Sequence, residues 1–245
     1  MKLKKRKINI KKRRYHFKPH FTLGVFLLVS FILGAVIWLS ANGEQVINAQ
    51  PKESFQKQLP EKSEIRSVKR IVFLGDSITE HQDWSVLLGI SNVFNAGISG
   101  NTTDDILERL HGVTSLNPDR LFIMAGINDF FHGKSAEYVF ANYEKIISEV
   151  KEKSPSTLIY IQSTLPINND LSRIGKVDAQ KIVDLNEKLK TLSDSQKVFF
   201  IDLYSYFCGI DHKLYGKYAK DGVHPVPEGY AVWRELLKPY ITQSE

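Results

Sequence analysis

The sequence predicts a three-layer α/β/α domain on a five-stranded parallel sheet, preceded by one transmembrane helix. Three observations lead there. Short apolar, β-branched runs alternate five times with segments of helical periodicity from residue 70 onward. With short connections and right-handed crossovers, such alternation implies a parallel sheet with helices on both faces. Residues 21–41 form a 21-residue stretch without one charged side chain. At 1.5 Å per residue it spans roughly 30 Å as a helix, the thickness of a bilayer core. Finally, the formal charge of +6 is unevenly placed. Residues 1–20 hold ten Lys/Arg and no acid, leaving 23 bases against 27 acids in the rest of the chain.

That placement decides what the basic pI means. From residue 71 onward there are 17 bases and 23 acids, scattered rather than blocked, so the folded part offers no phosphate-binding surface and no nucleic-acid partner is expected. Ten bases directly before an apolar run orient it with the N-terminus cytoplasmic and the rest of the chain extracellular. The expectation is a basic cytoplasmic tail (1–20), a signal-anchor (21–41) in the plasma membrane, a polar linker (42–69) with prolines at 51 and 60, and a domain at 70–245. Secretion after cleavage near Ala41 and Gly43 is the alternative. At 42% hydrophobic and 24% charged, the composition excludes disordered, collagen-like and multi-span proteins. The single cysteine, Cys208, excludes an intrachain disulfide framework and a multi-cysteine metal site.

Within the domain, strands are expected at 70–74 (RIVFL, closed by Gly75), 93–94, 120–124 (RLFIM), 157–162 (TLIYIQ) and 197–201 (KVFFI). Helices are expected at about 84–88, 103–111, 136–151, 177–192 and 227–240. Ligands of such sheets bind beyond the carboxyl ends of the strands, which is where chemistry is to be sought. Gly75-Asp76-Ser77-Ile78-Thr79 follows the first strand and places a hydroxyl at a helix mouth. Residues 95–103 (NAGISGNTT) follow the second and bracket a turn with two glycines. Gly126-Ile127-Asn128-Asp129 follows the third and offers an amide. In Asp221-Gly222-Val223-His224-Pro225 an acid precedes a histidine by three residues. In a turn, such a carboxylate can fold back onto the ring N–H, fixing the tautomer and leaving the other nitrogen as a base. Each block alone has an ordinary explanation as a cap or tight turn.

Together, GDSIT, NAGISGNTT, GIND and DGVHP resemble, in this order, the four blocks of the SGNH (GDSL-type) hydrolases. The likeness runs from about residue 71 to 240. The wording FLGDSITE, NAGISGNTTDDILERL and TLIYIQSTLP is most similar to the platelet-activating-factor acetylhydrolase-like and lysophospholipase-like acylhydrolases. The resemblance implies a flavodoxin-like fold, Ser77 as nucleophile, His224 as general base and acid, and Asp221 orienting His224. It also implies an oxyanion hole from the Ser77 and Gly100 N–H groups and the Asn128 amide, with neither cofactor nor metal. The Ile78 and Ile127 departures from the family's wording touch no reacting atom. A backbone carbonyl in place of Asp221 is the alternative for orienting the ring.

Other residues carry weaker signals. His81 and His132 follow the first and third strands and could line the pocket. Asn101-Thr102-Thr103 matches a glycosylation sequon, but it lies inside the second block. The loops 165–175 and 204–218 are candidates for substrate contact, with Tyr204, Tyr206, Phe207 and Tyr215 either stacking on substrate or forming a small hydrophobic cluster. The function expected is a membrane-anchored serine esterase acting on an acylated small molecule, lipid or glycan. The alternatives are an O-acyltransferase, a lysophospholipase or thioesterase, and a binding module that retains the fold.

Overall fold

The computed structural model describes residues 70–196 and 198–241. The basic tail, the expected signal-anchor at 21–41 and the linker lie outside the described residues. Among the described residues no helix is long and apolar enough to cross a membrane.

Five strands, β1 (Ile71–Gly75), β2 (Val93–Gly97), β3 (Arg120–Met124), β4 (Leu158–Gln162) and β5 (Phe199–Ile201), form one parallel sheet in the order β2-β1-β3-β4-β5. The chain leaves β1 toward β2 and returns on the other side of β1 to β3, so the connections diverge at the carboxyl ends of β1 and β3. That reversal opens the crevice in which ligands of such sheets sit.

Eight helices accompany the described strands: α1 (Ser77–Glu80), α2 (Trp84–Leu88), α3 (Thr103–Thr114), α4 (Ile127–Phe131), α5 (Ala136–Lys153), α6 (Ala179–Gln196), α7 (Tyr204–Phe207) and α8 (Pro227–Ile241). Side chains alternate across a pleated strand, so each buried strand feeds both faces. On one face Phe73, Phe122, Tyr160 and Phe199 are register partners on adjacent strands and stack in a continuous row, with centroids 4.6 to 4.9 Å apart. Trp84 from α2 stacks on Phe73, and Trp233 and Tyr240 from α8 pack edge-on against Trp84 and Tyr160. Such pairs contribute about 0.5–1.5 kcal/mol each beyond their buried area. Val72, Leu74, Leu121, Ile123, Ile159 and Ile161 alternate with that row and are buried on the opposite face.

The expected strands and long helices are present with small shifts. β2 runs on to Gly97, and α6 begins at Ala179 rather than 177. α8 continues through Pro239 to Ile241. The helix expected to open at Ser77 is only four residues long, and the short helices α4 and α7 stand where a turn and a loop were expected. Of the two readings open for the loop 204–218, Tyr204 and Phe207 follow the hydrophobic-cluster one, both being buried core residues. The Tyr204 hydroxyl is paired with His212 Nδ1 at 3.0 Å, and Phe207 packs on Tyr218.

Candidate active site

Ser77 is the first residue of α1, separated from the end of β1 by Asp76 alone. Asp76 caps that helix: its backbone is extended and its Oδ1 accepts the Ile78 N–H at 2.9 Å. The helix is clamped to the core from α8 and α2, because the Tyr230 hydroxyl donates to Ile78 O at 2.7 Å and Trp84 Nε1 donates to Thr79 O at 2.9 Å. It lies so close over β2 that a Cβ on Gly97 would come within 2.3 Å of the Glu80 nitrogen; only glycine fits there. Asp76 itself is buried, and its Oδ2 has no hydrogen-bond partner. Burial pushes its pKa up to about 7.

The loop after β2 is held in several places. Ile98 N–H donates to Gly75 O at 3.1 Å, and Asn101 N–H closes a turn onto Ile98 O at 3.2 Å. Between them Gly100 takes a left-handed conformation (φ +79°) with open space around it. The Glu80 carboxylate accepts both the backbone N–H of Ser99, at 2.8 Å, and its hydroxyl. That hydroxyl bond, with lesser help from the backbone one, holds the Glu80 pKa below its ordinary value against the opposing effect of desolvation. Thr102 and Asp105 then cap α3 reciprocally. Arg109, two turns along α3, donates Nε to Asn101 Oδ1 at 2.7 Å and Nη2 to Gly75 O at 3.0 Å.

Asn128 stands on α4, whose N-cap Gly126 has φ +114°. Its Nδ2 donates to Asn101 O at 3.0 Å, which brings the third block against the second. The neighbouring Asp129 is buried, and it accepts the Thr103 N–H at 3.0 Å and the Thr103 hydroxyl at 2.6 Å. Burial raises its pKa, with the Thr103 bonds opposing.

The last loop brings in the imidazole. His224 Nε2 lies 2.9 Å from Ser77 Oγ, and its Nδ1 lies 2.7 Å from Asp221 Oδ2. Asp221 Oδ1 accepts the N–H groups of Val223 and His224 at 2.9 and 2.8 Å. Burial works to raise the Asp221 pKa, but the bonds from the His224 ring and the two backbone N–H groups outweigh it, and the carboxyl titrates below its ordinary range. A carboxylate facing Nδ1 assigns the proton to that nitrogen and leaves Nε2 as acceptor of the serine hydroxyl. Hydroxyl, imidazole and carboxylate thus form one hydrogen-bonded chain that can take a proton from Ser77. Ser77, Gly100, Asn128, Asp221 and His224, expected from separate blocks, converge at the carboxyl ends of β1, β2 and β3.

The profile of the family described as "GDSL-like Lipase/Acylhydrolase family" matches residues 73–232, well over half of the chain. The chain belongs to this family. It is accordingly an enzyme, a GDSL acylhydrolase. Platelet-activating factor acetylhydrolase IB subunit alpha1 of Bos taurus is 28% identical over 219 residues, covering 85% of each chain. The crystal structure of a GDSL-like lipase from Bacteroides thetaiotaomicron superposes with a TM-score of 0.63 at 26% identity, over 84% of this chain and 98% of that one. A variant of an acetyl-xylooligosaccharide esterase from Geobacillus, 22% identical with a TM-score of 0.59 over 73% of this chain and 96% of its own, shares the fold.

Two site residues of this acylhydrolase escaped the sequence reading. Glu80 and Arg109 are charged residues on helices, and only their contacts, with Ser99 and with Asn101 and Gly75, set them apart from solvated positions. Of the two doubtful histidines, His81 stands at the mouth, its ring 5.1 Å from that of His224, whereas His132 ends α4 in solvent. Among the described residues no group of three or more His, Cys, Asp or Glu side chains could hold a metal ion.

Proposed function

We propose that this acylhydrolase is a serine esterase that releases a small acyl group, acetyl above all, from an oxygen ester. The observation that carries the reading is the unbroken chain Ser77 Oγ to His224 Nε2 (2.9 Å) and His224 Nδ1 to Asp221 Oδ2 (2.7 Å). Ser77 Oγ attacks the acyl carbon while Nε2 takes its proton. The oxygen that gains charge is met by the Ser77 and Gly100 N–H groups and by an Asn128 Nδ2 hydrogen, since an amide nitrogen has two to give. His224 then returns the proton to the departing alkoxide, and the acyl-serine is left. Water, deprotonated by the same ring, hydrolyses it and restores the hydroxyl.

Two points support acetyl. The bovine relative is by name an acetylhydrolase. Gly100 and the neighbouring Ile98 are exposed, so a bulky alcohol moiety can stay in solvent while only the acyl group enters. The uncharged segment 21–41 behind ten bases supports anchoring in the plasma membrane with the catalytic domain outside. The experiment is hydrolysis of p-nitrophenyl esters of two, four, eight and twelve carbons by the full chain. Preference for acetate supports the reading, and preference for eight carbons or more moves it to lipids. Transfer to a sugar acceptor in place of water would make the enzyme an acyltransferase. For the anchor, an intact mass of membrane-extracted protein that starts near residue 44 would overturn it.

A further inference from the structure

The loop that carries Gly100 is exposed at Ile98, Ser99 and Gly100, and nothing lies within 4 Å of where a Gly100 Cβ would stand. Hydrogen bonds hold it there. On its far side Asn101 is fixed by Arg109 and Asn128. On its near side Glu80 accepts both the N–H and the hydroxyl of Ser99, the residue whose carbonyl shares a peptide plane with the Gly100 N–H. Glu80 is also three residues after Ser77 on the same short helix. One side chain therefore links the helix bearing the attacking oxygen to the peptide bearing an oxyanion donor.

We infer that Glu80 is a positioning residue for the oxyanion hole, setting the direction of the Gly100 N–H through Ser99; this rests on the reading of Ser77 and Gly100 given above. The side chain acts as an acceptor and its charge is not what the site needs. A carboxylate beside a developing oxyanion repels it, so a neutral acceptor should serve at least as well. A donor displaced by about 1 Å loses much of its effect on the transition state while substrate binding is hardly touched.

The test compares Glu80→Ala, Glu80→Gln, Ser99→Ala and Ser77→Ala in the full chain, with rates normalised to folded protein. Glu80→Ala is expected to lower kcat about ten- to a hundredfold with KM within about twofold. Glu80→Gln should restore kcat to near wild type, and Ser99→Ala, which keeps the N–H bond, should fall between. Amide exchange at Ser99 supplies a readout that needs no turnover: it should be slow in the wild type and in Glu80→Gln and fast in Glu80→Ala. The inference is overturned if kcat of Glu80→Ala is unchanged, if the loss falls on KM, if Glu80→Gln is as impaired as Glu80→Ala, or if Ser99 exchanges equally fast in all. A wild type with no more activity than Ser77→Ala would overturn the esterase reading instead, and Ser99 exchange alone would then decide whether the tether exists.

Discussion

The Asp221 carboxylate holds His224 at two atoms, taking the ring Nδ1 on one oxygen (2.7 Å) and the backbone N–H of the same residue on the other (2.8 Å). Both oxygens are thus used to fix one imidazole, and the loop that presents it is folded around its own acid. Asp221→Asn is expected to lower kcat/KM by about a hundred- to ten-thousandfold, because an amide offers Nδ1 either a donor or a weak acceptor and permits the wrong tautomer. Steady-state kinetics on p-nitrophenyl acetate checks it. A loss below threefold would give the orienting role to a backbone carbonyl.

The Asn128 amide donates one hydrogen to Asn101 O, which leaves a second for the oxyanion hole proposed above. Asn128→Ala is expected to reduce kcat by about 100- to 1,000-fold, the usual effect of one lost oxyanion donor, with KM little changed. Asn128→Asp should be no better, since it replaces a donor with a like charge. Both are read by the kcat and KM split.

Asp76 makes stability depend on pH in a stated direction. Its pKa is about 7 in the folded protein against an ordinary 3.8. Between those values the native state keeps a proton that the unfolded chain has released, so stability is fully present below about pH 4 and declines as pH rises toward 7. Asp76→Asn keeps an acceptor for the Ile78 N–H and cannot ionise. Its Tm should fall less between pH 5 and pH 8 than that of the wild type, by several degrees on the order expected for 1–2 kcal/mol. Asp129, also raised by burial, adds its own charge to what raises Asp76, so the difference between the two proteins reads Asp76 together with that coupling. Parallel melting curves with pH would contradict the assignment.

Cys208 is buried, and burial pushes its thiol up to about 11. The thiolate is the reactive form, so at pH 8 the native protein should react with an aromatic disulfide reagent at least about tenfold more slowly than the same protein in denaturant. Equal rates would place the thiol at the surface.

What the sequence disclosed and withheld follows from physics. Parallel strands buried on both faces read as apolar runs, so β1, β3 and β4 were legible, as was the order of the four blocks, three after β1, β2 and β3 and one in the loop before α8. β2 is an edge strand with exposed Phe94 and Asn95 and ends in Ala96-Gly97, so its second half has no apolar signature. The helices α1, α4 and α7 are too short for a 3.6-residue period to register. Tyr204 stayed open between two readings because a tyrosine in a loop reads equally as a binding surface or as core. Glu80 gave no signal because the partner that defines it, Ser99, lies 19 residues away across a crossover.

The central claim, that Ser77 is an activated nucleophile, is tested most directly by labelling the full chain with a fluorophosphonate and mapping the adduct by peptide mass. One equivalent on Ser77 is expected, abolished in Ser77→Ala and slowed at least about a hundredfold in His224→Ala. An adduct on another residue, or labelling that survives Ser77→Ala, would contradict it.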